Sequence, residues 1–506
     1  MNLEGETSDS DDQLARQASK ADSVWVSHKL SFVGEAMFVA HVCMAQFCTQ
    51  AAYMGTLVLL RDIGHSFGIS DAPQLAWLVA GYSLTVGTFI LLCGRLGDVF
   101  GYKRMLLIGL ACFSVWSMVA GLSVYSNYTL AVISRVLQGM GPAICLPNAL
   151  AILGTAYPPG HRKAMVFACF GAVAPIGAVF GGVFASLLAL AWWPWALWAL
   201  AVWLAVLALA GNFVIPELPK KPLYPHGLPA WLELLDLPGA FIGIVALVLF
   251  NFAWTQAPIS GWGTPTVLVP LVLGLGLFGL FVLIECKFSA KPLLPFDAVN
   301  ADVAFVLAAV VCGWATFGVW TLYLVQILQD LRHLSPLATT ACFCPVTVAG
   351  GLAAIFTGKL LGPWQVRPPL VMVLALLAFT AGAMLTALAP TSQSYWGQIF
   401  VSMLVMPFGM DMSFPAATLI LSNSVPKEHQ GIGASLVNTV VNYGIALGVG
   451  FAGTVEVHVH GPGETDHDRL LGYRGALYVG IGLAALGLVT SLFFLARDYC
   501  VVRRGR

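Results

Sequence analysis

Gly94-Arg95-Leu96-Gly97-Asp98-Val99-Phe100-Gly101-Tyr102-Lys103-Arg104 interrupts a sequence that is apolar on both sides of it. Residues 76–94 form an uncharged run before it, and residues 105–125 form another after it. A helix rises about 1.5 Å per residue, so about 20 apolar residues cross the hydrocarbon core of a bilayer. The stretch therefore reads as a tight turn between two membrane spans. Its cations, Arg95, Lys103 and Arg104, suit the cytoplasmic face. Gly97 and Gly101 let the backbone turn sharply and let a neighbouring helix come close.

The whole chain shares this character. Of its 506 residues, 58% are hydrophobic and only 9% are charged. A soluble domain carries about 25% charged residues. A soluble enzyme, a disordered chain and a nucleic-acid binder are excluded, because the polar residues for their surfaces are missing. Lipid is the remaining solvent, and the bilayer the first partner. The eleven cysteines show no paired spacing in loops and read as small buried hydrophobes. Residues 1–31 hold Glu4, Glu6, Asp9, Asp11 and Asp12 without the basic start and short apolar core of a signal peptide. They are expected to form a disordered cytoplasmic tail.

Fourteen apolar runs are long enough to span: 32–60, 76–94, 105–125, 128–152, 164–189, 193–215, 238–256, 264–284, 303–328, 337–358, 369–389, 395–421, 433–454 and 475–496. An even number places both termini on one side. With the termini cytoplasmic, only Arg61, Arg332, Arg469 and Arg474 of the 24 Lys and Arg fall in outer loops. Arg135 lies inside a span, and the remaining nineteen lie in cytoplasmic loops, tails or span ends. That bias sets the orientation. The sequon at Asn127 then faces outward, in a loop so short that no glycan is expected.

The chain repeats itself. Gly141, Pro147, Ile152, Leu153, Pro158 and His161 recur 268 residues later as Gly409, Pro415, Ile420, Leu421, Pro426 and His429. Gly94-Arg-Leu96 and Lys103 recur 264 residues later as Gly358-Lys-Leu360 and Arg367, with Gly362 in the place of Asp98. Two six-span halves are expected, 32–215 and 303–496, joined by a 216–302 linker with two extra spans and followed by a 497–506 cytoplasmic tail. A duplicated bundle with a site between its halves is a transporter architecture.

On these residues the chain resembles the major facilitator superfamily. Gly94 to Arg104 is similar to its signature loop, in which Gly94, Gly97, Asp98, Gly101, Lys103 and Arg104 would act as a conformational latch between the halves. Arg135-Val-Leu-Gln138-Gly139-Met-Gly141-Pro142 resembles the fourth-span motif, whose Arg is associated with proton transfer. Gly171, Pro175, Gly177, Gly181 and Gly182 resemble the Gly/Pro-rich fifth span of exporters, although Ala174 stands where Gly commonly precedes the Pro. Fourteen spans with these motifs resemble the drug:proton antiporters. Tyr82–Phe89, Trp192–Trp195 and Gly409–Ala417 resemble the fungal aminotriazole- and boron-resistance group.

Charge inside a span costs about 2.5–3.5 kcal/mol on insertion scales, so the few retained charges are functional candidates. Asp411, between Met410 and Met412 in the twelfth run, is the first candidate for proton coupling. Arg135 and Glu35 are the others, each with a structural alternative: pairing or snorkelling for Arg135, a solvated first-turn position for Glu35. Gln46, Gln50, Gln138, Asn438 and Asn442 are candidates for the substrate cavity or, equally, for helix-to-helix hydrogen bonds. His41 reads as a packed polar residue. His458, His460 and His467 fall with Glu456 in an outer loop that reads as solvated, so no metal is expected.

The nearest approach to a phosphate loop, Thr357-Gly358-Lys359-Leu360, lacks the first Gly and the hydroxyl, and no loop is long enough for a nucleotide-binding domain. No nucleotide or other cofactor is expected. The chain lacks the His-x4-Asp cluster of a membrane acyl transferase, so it is not expected to be an enzyme. Two halves in one chain suit a monomer better than a pore formed by a symmetric oligomer. The expectation is proton-coupled efflux of small molecules by alternating access. The alternative is a uniporter or importer of a small polar solute such as ammonium or borate. The plasma membrane is the expected location and the vacuolar membrane the alternative.

Overall fold

The computed structural model describes residues 30–158, 160–217, 234–289, 292–293, 301–424, 430–460 and 465–504. Most of the expected N-terminal tail, most of the 216–237 connection and residues 461–464 lie outside these residues. Among the described residues, fourteen helices are long and apolar enough to cross a membrane. They are α1 (Phe32–Val58), α2 (Ala72–Phe100), α3 (Tyr102–Tyr125), α4 (Tyr128–Ala156), α5 (Met165–Ala189), α6 (Pro194–Val214) and α7 (Leu237–Ser260). The series continues with α8 (Pro265–Lys287), α9 (Ala301–Leu331), α10 (Pro336–Leu361), α11 (Pro368–Leu388), α12 (Gln398–Leu421), α13 (Ser435–Val459) and α14 (Asp466–Asp498). The protein is an all-helical, multi-pass membrane protein, as its sequence predicts.

Local sequence sets the starts and breaks of these helices. Ser31 and Asn127 cap α1 and α4, their side chains accepting from the amides of Gly34 and Leu130. Asn127, the sequon residue, is thus the cap of a span. Pro stands in the first turn of α2, α6, α7, α8, α10 and α11, where its missing N–H costs nothing. Helix α1 ends at Val58 rather than 60, and a short helix, Leu60–Phe67, follows it. Helix α13 runs to Val459, five residues beyond the run ending at 454, because Glu456 finds a buried partner. The last helix continues unbroken to Arg504 where a tail was expected.

The halves meet along pairs that the duplication makes equivalent. Helix α2 packs on α13, α5 packs on α10, and α1 meets α9 between these two seams. On the α2–α13 seam, a Cβ on Gly87 would stand 2.7 Å from the Tyr443 amide nitrogen and 3.0 Å from the Thr439 carbonyl oxygen. On the α1–α9 crossing, Tyr53 and Thr321 share a hydrogen bond of 3.1 Å, and Arg61 donates to the Gln329 carbonyl at 3.0 Å. Each of these pairs is 268 residues apart, the spacing at which the sequence repeats. Equivalent positions thus touch where α1 and α9 cross.

The two additional spans break this symmetry. Helices α7 and α8 pack on each other, and α7 lies against both α2 and α13. Tyr443 donates to the Leu247 carbonyl at 3.0 Å, Trp254 stacks edge-on against Phe451 at 4.3 Å, and Phe252 meets Trp77 at 5.4 Å. The α2–α13 seam therefore carries a helix across its outer face, whereas no comparable packing of α7 or α8 on α5 or α10 occurs among the described residues.

The glycines of α5 separate packing positions from free ones. A Cβ on Gly177 would fall 2.5 Å from the Phe47 carbonyl oxygen, and one on Gly181 would fall 2.2 Å from the Ala51 Cα, whereas one on Gly171 meets nothing within 4 Å. Overpacking of this kind costs about 1–3 kcal/mol, and in a chain of this length each kcal/mol moves the melting temperature by roughly 1 °C. Gly177→Val and Gly181→Val should therefore each lower the melting temperature of the purified protein by roughly 1–3 °C. Gly171→Val should leave it unchanged in the same thermal-shift measurement.

Candidate functional site

Polar groups inside the spans divide into those that are fully bonded within one half and those that face the join. Arg135 on α4 is of the first kind. It is 2% exposed, its Nε donates to the Leu78 carbonyl at 3.1 Å and its Nη2 to the Ala52 carbonyl at 3.4 Å. Its Nη1 donates to Gln138, whose amide in turn donates to the Ser117 hydroxyl at 2.6 Å. The guanidinium lies over the Tyr82 ring at 4.5 Å, and the Tyr82 hydroxyl donates to the Thr49 carbonyl at 3.0 Å. One cation thus ties α1, α2, α3 and α4 together, and among the described residues no carboxylate takes part. Gln138, expected near a substrate, is fully buried in this cluster.

Asp411 is of the second kind. It lies mid-span in α12, partly buried, and makes no hydrogen bond or ion pair among the described residues. Its Oδ2 stands 3.0 Å from where a Cβ on Gly350 would be, and the Pro175 ring stands 3.3 Å from the same point. The carboxylate of the second half therefore sits beside the proline of the fifth-span motif, across the α5–α10 seam. Arg135, the other coupling candidate, lies in the first half with no contact to Asp411.

The fifth-span motif is a packing seam. Gly177 and Gly181 hold α5 on α1, and Gly182 faces Thr340 of α10, where a Cβ would approach its Cγ2 to 2.8 Å. Pro175 lies inside the helix. Gln46 and Gln50 on α1 are partly exposed and have no hydrogen bond among the described residues. Asn438 and Asn442 on α13 are partly exposed, and the Asn442 amide donates to the Asn438 carbonyl at 3.0 Å. Glu35 stands apart from these, at the end bearing the chain termini. It pairs with Arg162 at 2.6 Å and accepts from the Tyr157 hydroxyl at 2.9 Å. His41 packs against α6, its Nε2 2.6 Å from where a Cβ on Gly211 would be.

The signature loop owes its glycines to close approach and to backbone. A Cβ on Gly97 would overlap the Asn148 Oδ1 at 1.8 Å, and Gly101 has a φ of +97°. Gly94 lies between Pro147 of α4 and Ser435 of α13, at 3.4 and 3.6 Å from its would-be Cβ. Asp98 is exposed and accepts from the Tyr102 hydroxyl at 2.6 Å. Lys103 donates to the Asn212 carbonyl and pairs with Glu217, both at 3.0 Å, while Arg104 is exposed. Arg95 lies within electrostatic reach of Asp98 and of Asp236 and Glu285, which flank the α7–α8 pair.

A second polar cluster was not visible in the sequence. Glu456, expected in a solvated loop, sits on α13 at 6% exposure and accepts from the Tyr323 hydroxyl at 2.7 Å. Tyr323 meets Tyr473 at 5.9 Å, and Tyr473 donates to Asp330 at 2.6 Å. Asp330 pairs with Arg61 at 2.9 Å, and the Gln329 amide donates to the Val58 carbonyl at 2.8 Å. These links join the halves at the end opposite the termini. The available signal was the buried spacing Val441, Ile445, Val449, Ala452 and Glu456, which continues the helix through the carboxylate.

A duplicated helical bundle whose halves meet at two seams around a crossing pair is the architecture of a secondary transporter. Residues 42–449 match the profile of the Major Facilitator Superfamily, residues 305–500 match it again, and the chain belongs to that superfamily. It is a transporter of small molecules, not an enzyme. The low affinity ammonium transporter of Saccharomyces cerevisiae is 50% identical over 91% of this chain and 88% of its own. Efflux pump terJ of Aspergillus terreus is 44% identical over 94% of this chain and 90% of its own. The aminotriazole resistance protein of Saccharomyces cerevisiae is 35% identical over 93% and 86%. A POT family transporter in complex with a thioalcohol conjugated peptide superposes with a TM-score of 0.67 over 92% of this chain and 96% of its own. At 15% identity that likeness speaks for the fold.

The Arg135 cluster predicts a stability phenotype. A lysine there keeps the buried charge but loses the fork that reaches three acceptors, and its stack on Tyr82 changes. With interhelical bonds near 0.6 kcal/mol and a desolvated cation–π contact near 2 kcal/mol, Arg135→Lys should lower the melting temperature by roughly 2–4 °C. Gln50→Ala, which removes no bond, should not change it.

Proposed function

We propose that this chain exports small molecules in exchange for protons, by rocking of its two halves about the α1–α9 crossing. The carrying observation is Asp411, a mid-span carboxylate without a bonding partner among the described residues, beside Pro175 and Gly350 of the opposed helices. An ionised carboxylate in apolar surroundings is costly, and a proton or a cation relieves that cost. Its protonation therefore changes which arrangement of α5, α10 and α12 is favoured, and that is how a proton couples to a conformational cycle. Efflux is supported by relatives named as efflux pumps and resistance proteins.

In this reading both termini are cytoplasmic, and the protein works as a monomer in the plasma membrane. The Arg61–Asp330 and Tyr53–Thr321 contacts close the outer end, so substrate enters from the cytoplasm. The Asp98 loop latches α2 near α13 and α4. Gln46, Gln50, Asn438 and Asn442 line the path, with Asp411 at its proton site. Arg135, bonded on every side, holds the first half rigid and relays no proton. Glu35 with Arg162 ties α1 to the start of α5 at the inner rim. The 32–215 and 303–496 halves move as units, with residues 216–302 as the connecting segment.

The test is flux in sealed inside-out vesicles with imposed pH gradients of either sign, using labelled aminotriazole, borate, ammonium and a few lipophilic drugs. Uptake by the intact chain should follow an acidic lumen, and Asp411→Asn should abolish that dependence while still exchanging labelled for unlabelled substrate. Uptake indifferent to the gradient in both proteins would overturn antiport and leave a facilitator, with ammonium the first cargo to examine.

A further inference from the structure

Glu456 takes no part in the transport path, yet it is a nearly buried carboxylate at the outer end of the bundle. Two tyrosines connect it to the ion pair that joins the halves there. Tyr323 of α9 donates to its Oε2 at 2.7 Å, and the Tyr323 ring meets that of Tyr473 on α14 at 5.9 Å. Tyr473 donates to Asp330, and Asp330 pairs with Arg61 of the first half. Gly472 brings α14 against the carboxylate, since a Cβ there would stand 3.4 Å from the Glu456 Cγ. The box around Glu456 is thus built from α9, α13 and α14, and one of its walls is the outer closure itself.

No cation is bonded to Glu456 among the described residues. Asp330 on α9 and Asp71 at the start of α2 lie within electrostatic reach of it, and both carry the same sign of charge. Arg61 is engaged by Asp330 and by the Gln329 carbonyl. Arg469 of α14 acts on Tyr473. On α13 itself, His458 is bonded to the Thr454 carbonyl, and the exposed His460 lies 3.2 Å from the would-be Cβ of Gly472. Helix α7, which reaches Gly453 with Pro258, carries no charged residue. An ionised carboxylate has about four acceptor positions. Among the described residues, Tyr323 is the one side chain that donates to Glu456.

We infer that Glu456 sets the closure of the outer end according to the protons outside: protonated, it favours the closed form, and ionised, it favours the open one. Solvation sets the direction. The ionised carboxylate is poorly solvated inside the closed box, and water restores its solvation once the halves part. The neutral carboxyl loses less on enclosure, and it no longer repels Asp330, whose charge the Arg61 pair requires. Glu456 is a positioning residue, acting through Tyr323 and Tyr473 on the pair that crosses the halves. The inference rests on the rocking proposed above, and not on Asp411 or on the cargo. In that cycle, external acid closes the outer end behind the departing substrate.

The test uses the full-length protein in lipid nanodiscs. Nitroxides are placed through p-acetylphenylalanine at Ser126 and Ser392, exposed outer positions in the two halves, by a ketoxime chemistry that leaves the native cysteines alone. Distance distributions are recorded by electron–electron resonance at acid and alkaline pH, in the intact chain and in Asp411→Asn, where the mid-span carboxylate contributes nothing. In both, the closed-to-open ratio should rise as pH falls, by up to about tenfold per pH unit for one linked proton. Glu456→Gln, close in shape and still an acceptor for Tyr323, should hold the ratio at its acid value at every pH. Tyr323→Phe should lower the ratio severalfold at alkaline pH and less at acid pH, because the ionised carboxylate loses its donor. A pH response in Asp411→Asn that survives Glu456→Gln would overturn the inference and pass the role to another group, His460 first. So would a response of opposite sign, or none. An outer end that stays closed at every pH would overturn the rocking of the halves as well. A pH response carried by Glu456 would stand even if vesicle flux showed no antiport.

Discussion

Lipid gives one apolar helix no hydrophobic reason to choose another, so this bundle depends on how closely its backbones approach. That constraint is visible wherever helices of different halves or neighbouring spans meet. Gly87 lies against the Tyr443 backbone, Gly181 against the Ala51 backbone, and Gly318 within 2.8 Å, from its would-be Cβ, of the Ile445 carbonyl. Glycine is used there because nothing larger fits. The few hydrogen bonds across the halves, such as Tyr53 to Thr321, then set register more than strength. A transporter needs both properties, since seams held by many strong polar bonds would not open.

The buried polar groups follow from the same economy. Arg135 is kept in the membrane because carbonyls, Gln138 and the Tyr82 ring surround it. Glu456 is kept because Tyr323 donates to it. Asp411 has no such company, and it lies where two helices of one half face a helix of the other. The contrast separates charges that are bonded into the bundle from one that has no bonding partner among the described residues.

Much of this was legible in the sequence, for physical reasons. Span length and charge bias are imposed by the bilayer, so fourteen spans and the repeated halves could be read from the residues alone. The glycines of the signature loop and of the fifth span also announced close packing, which the Asn148 and Ala51 contacts account for. What could not be read was the direction in which side chains face. Arg135 and Asp411 look alike on a hydropathy scale, yet one is enclosed by bonds and the other is not. Gln138 looked like a cavity residue and turned out to support Arg135. Glu456 was hidden by its neighbours, because a stretch with His458 and His460 reads as a loop until Tyr323 arrives from another helix.

The helix pair α7–α8 changes what the symmetry would otherwise provide. Two equivalent seams would give the surrounding bilayer two equivalent side doors into the space between the halves. Helix α7 lies across one of them, bonded to Tyr443 and stacked on Phe451. The α5–α10 seam, where Pro175, Gly350 and Asp411 converge, carries no such helix among the described residues. The insertion makes the two seams unlike in what covers them, and Asp411 lies beside the uncovered one.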